Sequence, residues 1–166
     1  MPTPRPRSTW WLLSAVGLLG YVLVGCASSP PVSGFTKVKY YHLKEEDWAS
    51  ESRSIDPMIR FERNHLLYGA VTEEETEERL GHYYTLFWNG PSRRTPVTVR
   101  FQYRQARTGE RVFAFDHTVK DVRDKNQTRL SITGAPYHRH GRVVSWQATL
   151  LQDGQVIDQT RSFLWK

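Results

Sequence analysis

The clearest pattern in the chain is strict alternation. In "PVTVRFQYRQ", residues 96–105, Val97, Val99, Phe101 and Tyr103 fall on one side, and Thr98, Arg100, Gln102 and Arg104 on the other. Successive residues of a strand point to opposite faces, so this segment predicts a half-buried strand of an antiparallel sheet. Similar runs follow or precede it: "HYYTLFW" (82–88), closed by the turn residues Asn89-Gly90-Pro91, then "ERVFAFDHTVKDV" (110–122) and "TRLSITG" (128–134). "RVVSWQATLLQ" (142–152) alternates Val144, Trp146, Ala148 and Leu150 against Val143, Ser145, Gln147 and Thr149. Asp153-Gly154 then reads as a hairpin turn, with "QVIDQTRSFLW" as the returning strand. "FTKVKYY" (35–41) has the pattern of another short strand. Five to seven short strands separated by turns predict a β-sandwich or small barrel.

One segment has helical signals. In "TEEETEERLG", Thr72 and Glu75 have the spacing of a capping box. Glu73 and Glu74 suit the positive end of the helix, and Glu75 and Arg79 are spaced i, i+4. With Gly81 beyond the end, a short surface helix is expected over about 72–80, pinned by Leu80. The preceding stretch, "SRSIDPMIRFERNHLLYGAV", is expected to be extended or irregular, because Asp56 precedes a proline and is disfavoured in the helical region.

The N-terminus follows a different logic. Arg5 and Arg7 lie among prolines, and residues 10–24 form an uncharged, largely apolar run that ends in small residues. Fifteen residues are short for a bilayer span, which takes about 20. A basic start and a short apolar core describe a secretory leader instead. The run closes on Leu23-Val24-Gly25-Cys26, with the only cysteine of the chain, followed by "ASSPPVSG". This arrangement resembles the lipobox of bacterial lipoproteins. The resemblance covers residues 1 to about 30 and implies cleavage between Gly25 and Cys26, a diacylglycerol on the Cys26 thiol and an acylated, palmitate-type amine. It implies a membrane partner through the lipid. Two or more acyl chains, at about 0.8 kcal/mol per buried CH₂, give stable anchoring. Ala27 stands where an aspartate retains enteric-type lipoproteins at the inner membrane, so the resemblance points to the outer membrane, facing the periplasm.

The expected organisation is therefore a cleaved leader at 1–25, a lipidated cysteine and tether at 26–34, and a single domain at 35–166. Loss of the leader takes Lys+Arg from 23 to 21 against 17 Asp+Glu, leaving a mild net charge of +4. With Cys26 acylated, no internal disulfide can form, so the domain must rely on packing. Trp48, Trp88, Trp146 and Trp165 supply large apolar area for it. The strand pattern over about 83–165 also resembles immunoglobulin- or fibronectin-III-like sandwiches, though without the Cys…Trp…Cys signature of true immunoglobulin domains. This likeness carries no functional residues across.

Chemistry is sparse. No G-x-S-x-G, S-x-x-K, H-E-x-x-H or phosphate-binding glycine motif occurs. His65, Glu75 and His82 are the residues from which an envelope hydrolase site could be assembled, and His138 and His140 are the best metal-like pair. That pair lies in an expected turn and lacks the third ligand a zinc site needs. No cofactor or resident metal is expected. The arginines scattered through the strands read as charge that discourages edge pairing rather than as a nucleic-acid surface. The stretch around Arg63, His65, Tyr68, His82 and Tyr84 combines aromatic, histidine and arginine residues, the types that dominate protein interfaces. These residues are the candidate interaction surface. The expected role is non-catalytic engagement of another envelope protein or polymer.

Overall fold

Nine alternating residues, Val97–Gln105, are paired with one neighbouring strand along their length and with a second over Val97–Tyr103, and form the centre of a four-stranded sheet. The computed structural model describes residues 33–45 and 56–166, so the leader expected at 1–25, Cys26, residues 27–32 and Trp48 lie outside the described residues. The elements, in order, are β1 (Gly34–Leu43), α1 (Pro57–Leu67), α2 (Glu73–Arg79), β2 (Gly81–Asn89), β3 (Val97–Gln105), β4 (Phe113–Val119), β5 (Lys125–Thr133), α3 (Ala135–His140), β6 (Val143–Gln152) and β7 (Gln155–Arg161). The strands make two antiparallel sheets, β1-β2-β5 and β4-β3-β6-β7.

One core joins the two sheets. Tyr84, Leu86 and Trp88 of β2 and Leu130 and Ile132 of β5 cluster with Val97, Val99, Phe101 and Tyr103 of β3 and Ala148 and Leu150 of β6. Seven strands in two sheets around a shared apolar layer are consistent with a β-sandwich. The Tyr84 ring lies 4.8 Å from Phe101 and 5.5 Å from Trp146, centroid to centroid. The buried Trp88 indole N–H donates to Thr128 Oγ1 across the β2–β5 pair, at 3.0 Å. An edge contact links the sheets as well: the Phe35 N–H donates to Asp158 Oδ2 of β7 at 2.7 Å, next to the buried Gly34.

The strand expectations are met with two adjustments. In β6 the alternation breaks: Val143 and Ser145 are buried, Val144 is exposed, and Ala148 and Leu150 are buried. The register shows the reason. Gln105 pairs with Val143 and Arg104 with Ser145, so Val144 is the extra residue of a bulge, and the phase changes there. The final strand stops at Arg161. Ser162–Trp165 form a turn in which the Trp165 ring lies under the Arg104 guanidinium, 4.5 Å away. The Asp153-Gly154 hairpin is as expected, with positive φ at both residues.

The helices depart further from expectation. Residues 57–67, expected to be extended or irregular, form α1. Asp56 does avoid the helical region, but in doing so it becomes the N-cap, its side chain accepting from the Met58 N–H at 2.7 Å, and Pro57 occupies the first turn. A proline there loses no helical hydrogen bond. His138-Arg139-His140, expected as a turn, lie in the short helix α3 between Gly134 and Gly141. The capping-box helix is present as α2: Thr72 Oγ1 accepts from the Glu75 N–H, and the Glu75 carboxylate accepts from the N–H groups of Val71 and Thr72. Leu80 caps it and is buried. Gly81 opens β2 rather than closing the helix. A Cβ at Gly81 would lie 2.2 Å from the Ile132 carbonyl oxygen, so only glycine allows β2 and β5 to meet there.

Candidate functional site

β2 presents two chemically different faces. His82, Tyr84, Leu86 and Trp88 point into the core, whereas Tyr83, Thr85 and Phe87 point outward and are only half-buried. The registers extend the outer face into three rows: Tyr41–Tyr83–Ser131, Lys39–Thr85–Arg129 and Lys37–Phe87–Gln127. Phe61, Glu62, His65 and Leu66 of α1 form the opposite wall, and a groove of about 900 Å³ lies between. The Phe61 and His65 rings, one helical turn apart, are nearly parallel at 6.4 Å. None of the residues of α1 is buried: Met58, Ile59 and Phe61 are exposed, as are Tyr68 and Val71 beyond its end. The helix borders the sheet without filling the space over it.

Local interactions hold the groove's walls. The Tyr83 hydroxyl donates to the Arg79 carbonyl, and the Arg79 guanidinium donates to the carbonyls of Leu66 and Tyr68. Together these bonds tie the end of α1, the end of α2 and the start of β2. Lys39 Nζ sits 5.7 Å from the centre of the Phe87 ring. Among the described residues, neither Lys39 nor Arg129 has a carboxylate partner. Glu62 is the one carboxylate among the lining side chains.

A second, smaller cavity of about 420 Å³ opens among His42, Lys44, Glu45, Tyr137 and Arg142. Beneath it, His42 stacks on His82 with centroids 3.9 Å apart, and His42 Nε2 is hydrogen-bonded to the Tyr137 hydroxyl at 2.9 Å. His82 is almost fully buried, and its Nε2 accepts from the Val143 N–H at 3.0 Å. The neutral ring therefore carries its proton on Nδ1, which donates to the Tyr40 hydroxyl at 2.8 Å. Burial, then the neighbouring His42 and Arg142, push the His82 pKa down to about 3. His82 is a fixed neutral link between the two sheets.

The expected site residues are thus divided. His65 lines the groove, Tyr68 is exposed at the end of α1, and Arg63 lies on the same helix. His82 and Tyr84, expected on the same surface, are instead buried in the interior, because they share the inward phase of β2 with Leu86 and Trp88. The alternation is present in "HYYTLFW" itself, but both of its faces are aromatic, so the segment does not say which one turns inward. His65, Glu75 and His82 do not assemble as a hydrolase site would require. The Glu75 carboxylate is engaged by the cap of α2, which holds it below the usual carboxylate range; His65 lines the outer groove; and His82 bonds Tyr40 and Val143 inside. His138 and His140 also diverge: His138 Nε2 bonds the Glu77 carbonyl at 2.9 Å, while His140 packs against the Phe113 ring. No group of three His, Cys, Asp or Glu able to hold a metal occurs among the described residues. The groove residues that sequence reasoning missed, Lys39, Tyr41, Phe87 and Arg129, come from three strands brought together by the β1-β2-β5 pairing.

No family model, curated protein or solved structure matches this chain. Among the described residues, no helix is long and apolar enough to cross a membrane.

Proposed function

We propose that this protein is a lipid-anchored component of a bacterial cell envelope that binds another envelope component without catalysing a reaction. Its location rests on Leu23-Val24-Gly25-Cys26 behind a basic, apolar leader. On this reading Cys26 becomes the acylated first residue, and residues 27–34 tether the domain close to the outer-membrane surface on the periplasmic side. Eight residues span at most about 26 Å at ~3.3 Å each. The division into three strands against four supports an immunoglobulin- or fibronectin-III-like arrangement, a framework that presents faces and loops for binding.

The interaction role rests on one observation: α1 keeps apolar side chains exposed beside an unfilled groove of aromatic and cationic residues. Pockets lined by aromatic side chains with a few placed polar groups are the usual form of a binding site. The anchor confines the protein to a surface and raises its effective concentration there.

Intact-mass spectrometry of the protein from its native membrane tests the anchor. The expected product begins at Cys26 and carries the mass of a diacylglyceryl group and an amide-linked acyl chain. A chain that retains residues 1–25, or a bare thiol, overturns the location. A photo-crosslinking residue at Phe61 tests the groove. Crosslinks to a defined envelope component are expected from Phe61 and not from Thr118, on the outer face of the other sheet.

A further inference from the structure

We infer that the groove between α1 and the β1-β2-β5 sheet takes an acidic glycan, a chain of pyranose rings bearing carboxylates. This inference rests on the proposed use of the groove as the binding surface. The floor is ordered in rows: a cationic row, Lys39–Thr85–Arg129, lies between one bearing Tyr41 and Tyr83 and one bearing Phe87. Tyr83 and Phe87 are four residues apart on one strand, about 13 Å at ~3.3 Å per residue. Aromatic residues therefore flank a positive centre on both sides, with Lys39 Nζ over the Phe87 ring. Thr85 and Ser131 add neutral hydrogen-bonding groups among them. The C–H face of a pyranose stacks on such rings, its hydroxyls suit these neutral groups, and its carboxylates pair with Lys39 and Arg129.

The central charges on the outer face of the other sheet are arranged differently. There, Arg100 is paired in bidentate fashion with Asp116 across β3 and β4, and Thr98 bonds Thr118. Those polar groups satisfy one another; in the groove, Arg129 donates to the neutral Gln127 amide oxygen at 2.8 Å, and neither it nor Lys39 has a carboxylate partner among the described residues.

Two other occupants fit less well. An acyl chain laid along the floor would cover Lys39 and Arg129 without pairing them, and burying an unpaired charge is costly. An extended acidic peptide would find little main chain to pair with on the floor, because the β2 ladder is hydrogen-bonded to β1 on one side and β5 on the other.

The experiment is calorimetric titration of the full-length lipidated protein in detergent micelles. The probes are hexagalacturonate (an acidic glycan), cellohexaose (a neutral one) and hexaglutamate (an acidic peptide). Hexagalacturonate is expected to bind at least tenfold more tightly than either of the others. Lys39→Gln and Arg129→Gln, both exposed positions, are each expected to weaken it by at least fivefold while leaving the thermal midpoint unchanged. Hexaglutamate binding as tight as hexagalacturonate, no binding of hexagalacturonate, or binding that both substitutions leave intact would overturn the inference. The Phe61 crosslinker separates the two levels. Capture of an envelope protein there without glycan binding removes the glycan and keeps the groove; failure of both removes both.

Discussion

The two faces of β2 are built from the same nine residues and end in opposite conditions. On the inner face, His82, Tyr84, Leu86 and Trp88 are at most 2% exposed and packed against the second sheet. On the outer face, Tyr83, Thr85 and Phe87 are half-buried, under a helix that has no buried residue of its own. Aromatic content alone therefore does not mark a core. The inner face meets a second sheet whose side chains fill it. The outer face meets a single short helix that borders a cavity. The first arrangement is accounted for by stability; the second is the one for which we propose an occupant from outside.

The strongest way to break this comparison is to cut into each face. Phe101 is fully buried, with ring centroids of Tyr84, Phe115, Trp146 and Tyr103 within 4.8–6.1 Å. Phe101→Ala is expected to cost about 3–5 kcal/mol in a urea unfolding titration, through lost transfer energy and a cavity. A loss below ~1 kcal/mol would mean that the inter-sheet layer is not the packed core.

The next effect is a pH dependence located in the inner face. His82 is held neutral in the folded state, with a pKa of about 3 against an ordinary value of 6.5. The unfolded chain thus binds a proton there that the folded one excludes. The stabilisation is complete above about pH 6.5 and is lost as pH falls toward 3, on the order of a few kcal/mol. In urea titrations at pH 7 and pH 4.5, His82→Gln should narrow the gap in unfolding free energy that the native protein shows. An unchanged gap would place the acid sensitivity elsewhere.

A smaller effect is expected at α2, which braces the groove. Thr72→Ala removes the side-chain cap that accepts from the Glu75 N–H. Its expected cost is about 1 kcal/mol, read as faster amide exchange in residues 73–79 and a lowered thermal midpoint. The smallest effect belongs to the outer face. Phe61 is 66% exposed, and Phe61→Ala should change stability by less than about 0.5 kcal/mol in the same unfolding titration. A large loss would show that α1 is part of the packed body and that the groove's wall is structural.

How much of this was legible beforehand differs by element. The β3 pattern was complete in the sequence because a strand packed on one face repeats every two residues. The α2 capping box was legible because its hydrogen bonds join residues three apart. At α1 the local signal was present and was misread: Asp56-Pro57 is unfavourable within a helix but favourable at its start, and only the residues that follow separate the two cases. For β6, the phase depends on a bulge opposite Arg104 and Gln105, so it is a property of the pair of strands. At the candidate site, His65 and Tyr68 were legible as an aromatic, basic stretch. Lys39 and Arg129 are ninety residues apart in the chain and meet only through β2.

The sequence by itself determined the strands, their turns and the α2 cap, because each depends on neighbours within a few residues along the chain. It also carries the run Leu23-Val24-Gly25-Cys26, written in consecutive residues, on which the proposed lipid anchor rests. Only the tertiary structure decided which aromatic face of β2 became core and which became groove. That choice depends on what lies opposite each face, and the partners come from segments distant in the chain: β3 and β6 on one side, α1 on the other.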